Sequence, residues 1–179
     1  MWLQFLNNWN GISMFYEPML SDAEDMYLYA DASSTKGFGG FFQNKWFYDS
    51  WPNNLPEVAD YSLSMAFLEL YPIVVAAVLW GQEWKSKRIL FYCDNLATVQ
   101  IISKGRSKEP VIMKLMRRLT MCASLNNFAV YSKHVPGKIN SISDALSRFQ
   151  ITRFRELAPD ADKNPTPCPP LTEIIWHNP

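Results

Sequence analysis

Two strand-like apolar runs in this chain end on an aspartate: MYLYADAS carries Asp31 and RILFYCDN carries Asp94. A third acid, Glu69, lies inside the apolar helical stretch AFLELYPIVVAA, and a fourth, Asp144, opens the short helical segment SISDALSR. A carboxylate at the end of a buried strand or inside an apolar helix is expensive unless something positive neutralises it. Taken singly, each acid has an ordinary role. Asp31 can begin a turn, Asp94 can cap the next helix, Asp144 can fill a helix's first turn, and Glu69 can be a solvated helix residue. One explanation serves all four at once: they converge and share divalent metal ions, which makes the chain a nuclease candidate.

The elements around the acids are legible from periodicity. MYLYADAS, GFGGFFQN and KWFYDSWP read as three strands joined by the turn SSTKG and closed by Pro52. Gly37, Gly39 and Gly40 lack the spacing and following helix of a phosphate loop, so close strand packing or a bulge explains them better. A helix is expected over 62–84, with Met65, Leu68, Pro72, Val75, Ala76 and Leu79 near one stripe and Pro72 as a kink or local break. RILFYCDN is a buried fourth strand, LATVQIISKG a helix closed by Gly105, and EPVIMKLMRRLTMCASLNN a helix with Pro110 near its start. FAVYSKHV is a fifth strand, PGKIN a turn, and SISDALSRF a last helix capped by Ser141 or Ser143. Three meander strands followed by alternating helices and strands describe an α/β protein, a mixed sheet covered by helices. Residues 1–25 read as a leader, 26–149 as the domain, and 150–179, rich in proline and polar residues, as a linker or tail.

Composition narrows the setting. At 179 residues and 48% hydrophobic, the chain can bury a real core. The apolar run IVVAAVLW is interrupted by Gly81, Gln82 and Glu83, so no membrane span is expected. The first residues lack the pattern of a signal peptide. Cys93, Cys122 and Cys168 have no CxxC spacing and are expected to be reduced thiols. An intracellular, non-secreted setting follows, in the cytoplasm or nucleus. The net charge of zero hides an asymmetry: residues 1–80 carry two basic against nine acidic side chains, and residues 81–138 eleven basic against three acidic. The basic block suits a phosphate backbone and equally suits a solvated helical face.

The combination of DAS before a glycine-containing strand, a helical Glu ahead of the fourth strand, the strand-terminal DN and the closing PGKINSISDALSR resembles ribonuclease H. It is most similar to the domain attached to retrotransposon reverse transcriptases, over roughly residues 26–149. The tail LSRFQITRFRELAPDADKNPTP looks like the joint found in DIRS-like elements, which carry a tyrosine recombinase. Gypsy-like elements share DALSR and are the second choice.

The resemblance implies a ribonuclease H-like fold: three antiparallel strands, two parallel additions and flanking helices. It also implies catalysis with two Mg²⁺ ions, Mn²⁺ being a plausible substitute. In that scheme Asp31 bridges both ions, Glu69 and Asp94 hold one, and Asp144 helps hold the other. Four acids without His or Cys ligands suit Mg²⁺ better than zinc. The expected activity is hydrolysis of the RNA strand of RNA–DNA hybrids, with the polymerase domain of the same polyprotein as partner and no membrane. Many relatives have a mobile His in the turn before the last Asp; here Lys138 stands there, and His134 lies earlier in the fifth strand. Further candidate substrate contacts are Ser33, Asn95, Lys104, Arg106 and Lys108, the last three in the short link SKGRSKEP. Trp46, Trp51 and Trp80 are expected in packing rather than in base stacking. Two other functions fit the same fold: a noncatalytic hybrid-binding or connection domain, and a DNA-cleaving core of the transposase or integrase type.

Overall fold

The computed structural model describes residues 27–53, 55 and 64–175, with positions 3, 6 and 7; the rest of the leader read over 1–25 lies outside the described residues. Strands β1 (Tyr27–Ala32), β2 (Gly37–Phe42) and β3 (Lys45–Ser50) form an antiparallel meander. Strands β4 (Arg88–Cys93) and β5 (Ala129–His134) extend it in parallel, giving the order β3-β2-β1-β4-β5. This is the mixed five-stranded sheet that the sequence implies. Parallel pairing of β1 with β4 needs a crossover, and α1 (Met65–Trp80) with a 3₁₀ turn (Gly81–Trp84) supplies it. Helices α2 (Leu96–Lys104) and α3 (Pro110–Asn126) connect β4 to β5.

Helix α1 differs from the expected single stripe. Every residue from Ala66 to Ala77 is buried, because the helix is enclosed by β1, β2, α2 and α3. Its cap is Ser64, whose hydroxyl accepts from the Phe67 amide, and the helix continues through Pro72. The expectation about membrane-length runs also needs correction. Met65–Trp84 is 20 residues long with mean hydropathy 1.5, long and apolar enough to cross a bilayer, yet 78% of it is buried inside this fold. It is a core helix.

The other sheet face carries α4 (Ser141–Ser147) and α5 (Ile151–Leu157). Trp46, Ala145, Leu146, Phe154, Ala158 and Ala161 make a second core there. Gly39 allows this layer to form, since a Cβ at that position would lie 2.4 Å from the Leu146 Cβ. The glycines of β2 therefore serve close packing, as expected. The cap of α4 is Asn140 rather than either serine; its side chain donates to the Ala30 carbonyl at 2.9 Å, and the Ser143 hydroxyl donates to its Oδ1 at 2.6 Å. A polar pair buried under the sheet ties α4 to β1 better than a solvent-facing cap.

The described part of the linker-like stretch 150–179 is packed. Beyond α5 the chain runs beside β3, where the Asp162 and Thr166 amides donate to the Asn44 and Trp46 carbonyls. The Trp46 indole donates to the Asp162 carbonyl at 2.7 Å, and the Arg155 guanidinium lies 4.8 Å from that ring's centre. A last turn, α6 (Leu171–Ile174), puts Leu171 and Ile174 into the main core. Proline suits this stretch because an extended strap needs few amides of its own.

Candidate functional site

All four acids meet at one end of the sheet. Asp31 is the penultimate residue of β1, and Asp94 follows the last residue of the adjacent β4, so the parallel pairing of these strands sets them side by side. Glu69 projects from the second turn of α1 beneath them, and Asp144 arrives on α4, which Gly39 lets settle against β2. Asp31 and Glu69 are 6% and 3% exposed. Asp94 and Asp144 are half-buried at the rim.

The electrostatics show how close the group is. Burial raises Asp31 to about 6, and the charges of Asp94 and Asp144 push the same way against a hydrogen bond from Ser147. Burial raises Glu69 to about 9, with Asp31 and Asp94 adding repulsion. Among the described residues, no Lys or Arg pairs with Asp31, Glu69 or Asp94. Two buried carboxylates pushed upward by burial and by acidic neighbours, with no ion pair to offset them, are the surroundings in which a cation is favourable. Glu69, Cys93 and Asp94 each offer a ligand atom within 4.8 Å of the others, so a metal ion can be held here by two carboxylates of the kind Mg²⁺ takes beside a softer thiol.

Several side chains organise the acids without a signal in the sequence pattern. The Ser147 hydroxyl donates to Asp31 Oδ2 and lies 3.1 Å from the Asp144 carbonyl oxygen, placing it between the first and last acids. The Cys93 thiol, raised by its burial, faces Glu69 Oε2 at 3.9 Å. The three cysteines are free, as expected, but this one borders the acids. Arg148 Nε donates to Asp144 Oδ1 at 2.6 Å, and Arg153 Nη1 donates to Oδ2 at 2.9 Å. A burial-blind reading of spacing does not single out these residues; Ser147 and Arg148 belong to the DALSR run itself.

The candidate substrate contacts fall into two groups. His134 reaches the site's edge, with Nε2 3.1 Å from the Asp94 carbonyl oxygen. Lys138 is exposed in the turn that flanks Asp94, where a Cβ on neighbouring Gly137 would sit 3.1 Å from Asp94 Oδ2. Asn95 caps α2, its side chain accepting from the Thr98 amide at 3.0 Å. Ser33 shapes the β1–β2 turn: its hydroxyl accepts from the Lys36 amide and its carbonyl from the Trp51 indole. Lys104, Arg106 and Lys108 are exposed at the end of α2 and in the link that follows, and no hydrogen bond or ion pair among the described residues joins them to the acids. Trp46 and Trp80 are buried and Trp51 packs at the core's margin.

No protein-family model matches the sequence, and no curated protein matches it. Among solved structures the chain is similar to RNase H1 from the halophilic archaeon Halobacterium salinarum NRC-1, with 14% identity, 70% of this chain and 95% of that chain covered, and a TM-score of 0.48. At that level of likeness the chemistry has to be judged on this chain's own side chains.

Proposed function

We propose that the chain is a divalent-metal-dependent endonuclease of the ribonuclease H type, hydrolysing the RNA strand of RNA–DNA hybrids. The observation that carries this reading is the meeting of Asp31, Glu69, Asp94 and Asp144, from four separate segments, with the two most buried carboxylates in no ion pair among the described residues and only the Arg148 charge acting on Asp31 from a distance. Those four would hold Mg²⁺, with Mn²⁺ as a substitute. Bound divalent ions supply an activated water and neutralise charge on the leaving oxygen.

The chain's own residues do the rest. Ser147 fixes the orientation of Asp31, and the Cys93 thiol does the same for Glu69. Asn140 anchors α4 to β1 and so holds Asp144 beside Asp31. His134 and Lys138 border the acids and supply donors for substrate phosphate. Recognition of a hybrid works through groove shape and the 2′-hydroxyl, so sequence preference should be weak. The DALSR run and the tail support an origin in a DIRS-like retrotransposon, with gypsy-like elements second, working intracellularly beside the polymerase of its polyprotein.

The test is cleavage of labelled hybrid, duplex DNA and duplex RNA by the full chain, with metal omitted and restored. Cleavage of the hybrid's RNA strand in Mg²⁺ or Mn²⁺ is expected. A folded protein that leaves the hybrid intact in both metals refutes the assignment. Preferential cutting of duplex DNA would point to a transposase-type core instead.

A further inference from the structure

The four acids are not treated alike by their surroundings. Asp31 is met by a hydroxyl and Glu69 by a thiol, but both oxygens of Asp144 are taken by guanidinium groups, Oδ1 by Arg148 and Oδ2 by Arg153. The two arginines come from different helices. Arg148 follows the last turn of α4, and Arg153 lies on α5, where Gln150 Oε1 accepts from the same Nη1 at 2.9 Å. The Arg148 and Arg153 side chains are 50% and 45% exposed. Pairs this exposed add little to stability and are easily exchanged for a stronger partner. A metal at Asp144 must share these oxygens or displace an arginine, and does so against two adjacent positive charges.

Resting on the proposed metal-dependent nuclease reading, we propose that Arg148 and Arg153 are positioning residues that gate Asp144. They occupy its carboxylate when no metal is there, weaken divalent-ion binding at that side of the cluster, and release it when substrate phosphate offers the guanidiniums another anion. Metal binding is thereby split. The side formed by Glu69 and Asp94, whose carboxylates make no ion pair among the described residues, fills first, and the side completed by Asp144 fills well only with nucleic acid present. Planar guanidinium suits this exchange because it pairs with carboxylate and phosphate in the same geometry.

The experiment is a Mn²⁺ titration of the full chain without nucleic acid, read by calorimetry and by the electron-spin signal of free Mn²⁺. Wild type, Arg153→Gln, Arg148→Gln and Arg153→Lys are compared, with far-UV circular dichroism confirming the fold. Each Gln variant is expected to tighten the weaker Mn²⁺ site by roughly three- to tenfold, the effect of removing one nearby unit charge through a water-like dielectric. The tighter site should stay within about twofold, and Arg153→Lys, which keeps the charge, should stay near wild type. Because the two arginines are exposed and on separate helices, one variant remains informative if the other unfolds. Unchanged or weaker Mn²⁺ binding in the Gln variants overturns the gate while leaving the nuclease reading intact. Wild-type protein that binds no Mn²⁺ overturns the metal reading, and the gate falls with it.

Discussion

Glu69→Gln should make the metal-free protein more stable at alkaline pH and remove its catalytic competence. Glu69 titrates ordinarily at 4.5, and burial with its acidic neighbours raises it to about 9 in the fold. An acid raised in this way keeps its proton in the folded chain after the unfolded chain has lost it. Its contribution is therefore undiminished below about pH 4.5 and stability falls steadily as pH climbs towards about 9. At about 1.36 kcal/mol per pH unit, the cost at pH 8 approaches 5 kcal/mol as an upper bound. That is a large share of the roughly 5–15 kcal/mol that holds an ordinary domain together. Glutamine has the same shape and no charge, so Glu69→Gln should recover about 2–5 kcal/mol at pH 8 and under about 0.5 kcal/mol at pH 4.5, where the wild-type side chain is protonated in the fold and half protonated in the unfolded chain. The assay is thermal and urea unfolding in a chelator from pH 4.5 to 8.5, repeated in millimolar Mg²⁺. Wild type should lose stability with rising pH in chelator and regain it with Mg²⁺, while the variant should be flatter in pH and less responsive to metal. A wild-type profile that does not fall between pH 5 and 8.5, or a variant that follows it, refutes the buried, uncompensated carboxylate.

Asp94→Asn should abolish hybrid cleavage while the unfolding midpoint stays at or above the wild-type value, measured by the cleavage assay and thermal unfolding on one preparation. Gly39→Val should cost about 1–3 kcal/mol by driving a side chain into α4, where a Cβ alone would sit 2.4 Å from the Leu146 Cβ. It should also reduce cleavage, because α4 carries Asp144; urea unfolding and turnover measured together check it. Phe154→Ala empties a fully buried position in the second core and should cost about 3–5 kcal/mol in urea unfolding.

Much of the sheet was legible because its strands announce themselves. β1 and β4 are short apolar runs, and their adjacent parallel pairing follows from the helix between them. The acids are legible as a set: each alone can be a turn or cap residue, but four of them in this order of elements have one shared explanation. Helix α1 is harder to read, since a segment buried all round has no polar face to set its phase, and its apolar positions fit a stripe only by chance. Asn140 was missed as the cap of α4 because its value lies in a bond to Ala30, over a hundred residues away in sequence. The roles of Arg148 and Arg153 were hidden likewise, for nothing in local spacing says that two helices will present their guanidiniums to one carboxylate. The stretch after Phe149 carries the composition of a linker, and proline and polar residues read the same whether a chain is free or laid along an edge.

That strap has a consequence for anyone choosing where to cut or fuse this protein. The carbonyls of Asn44, just before β3, and of Trp46 within it accept amide hydrogens from Asp162 and Thr166. A fragment ending at Phe149, just past the last acid, would keep every proposed metal ligand and yet present β3 as an open template for another chain's strand. It would also lose Phe154, which backs the layer holding Asp144. Such a fragment would aggregate while retaining every acid of the proposed site, and its silence in a cleavage assay would speak of a missing edge guard rather than a missing active site.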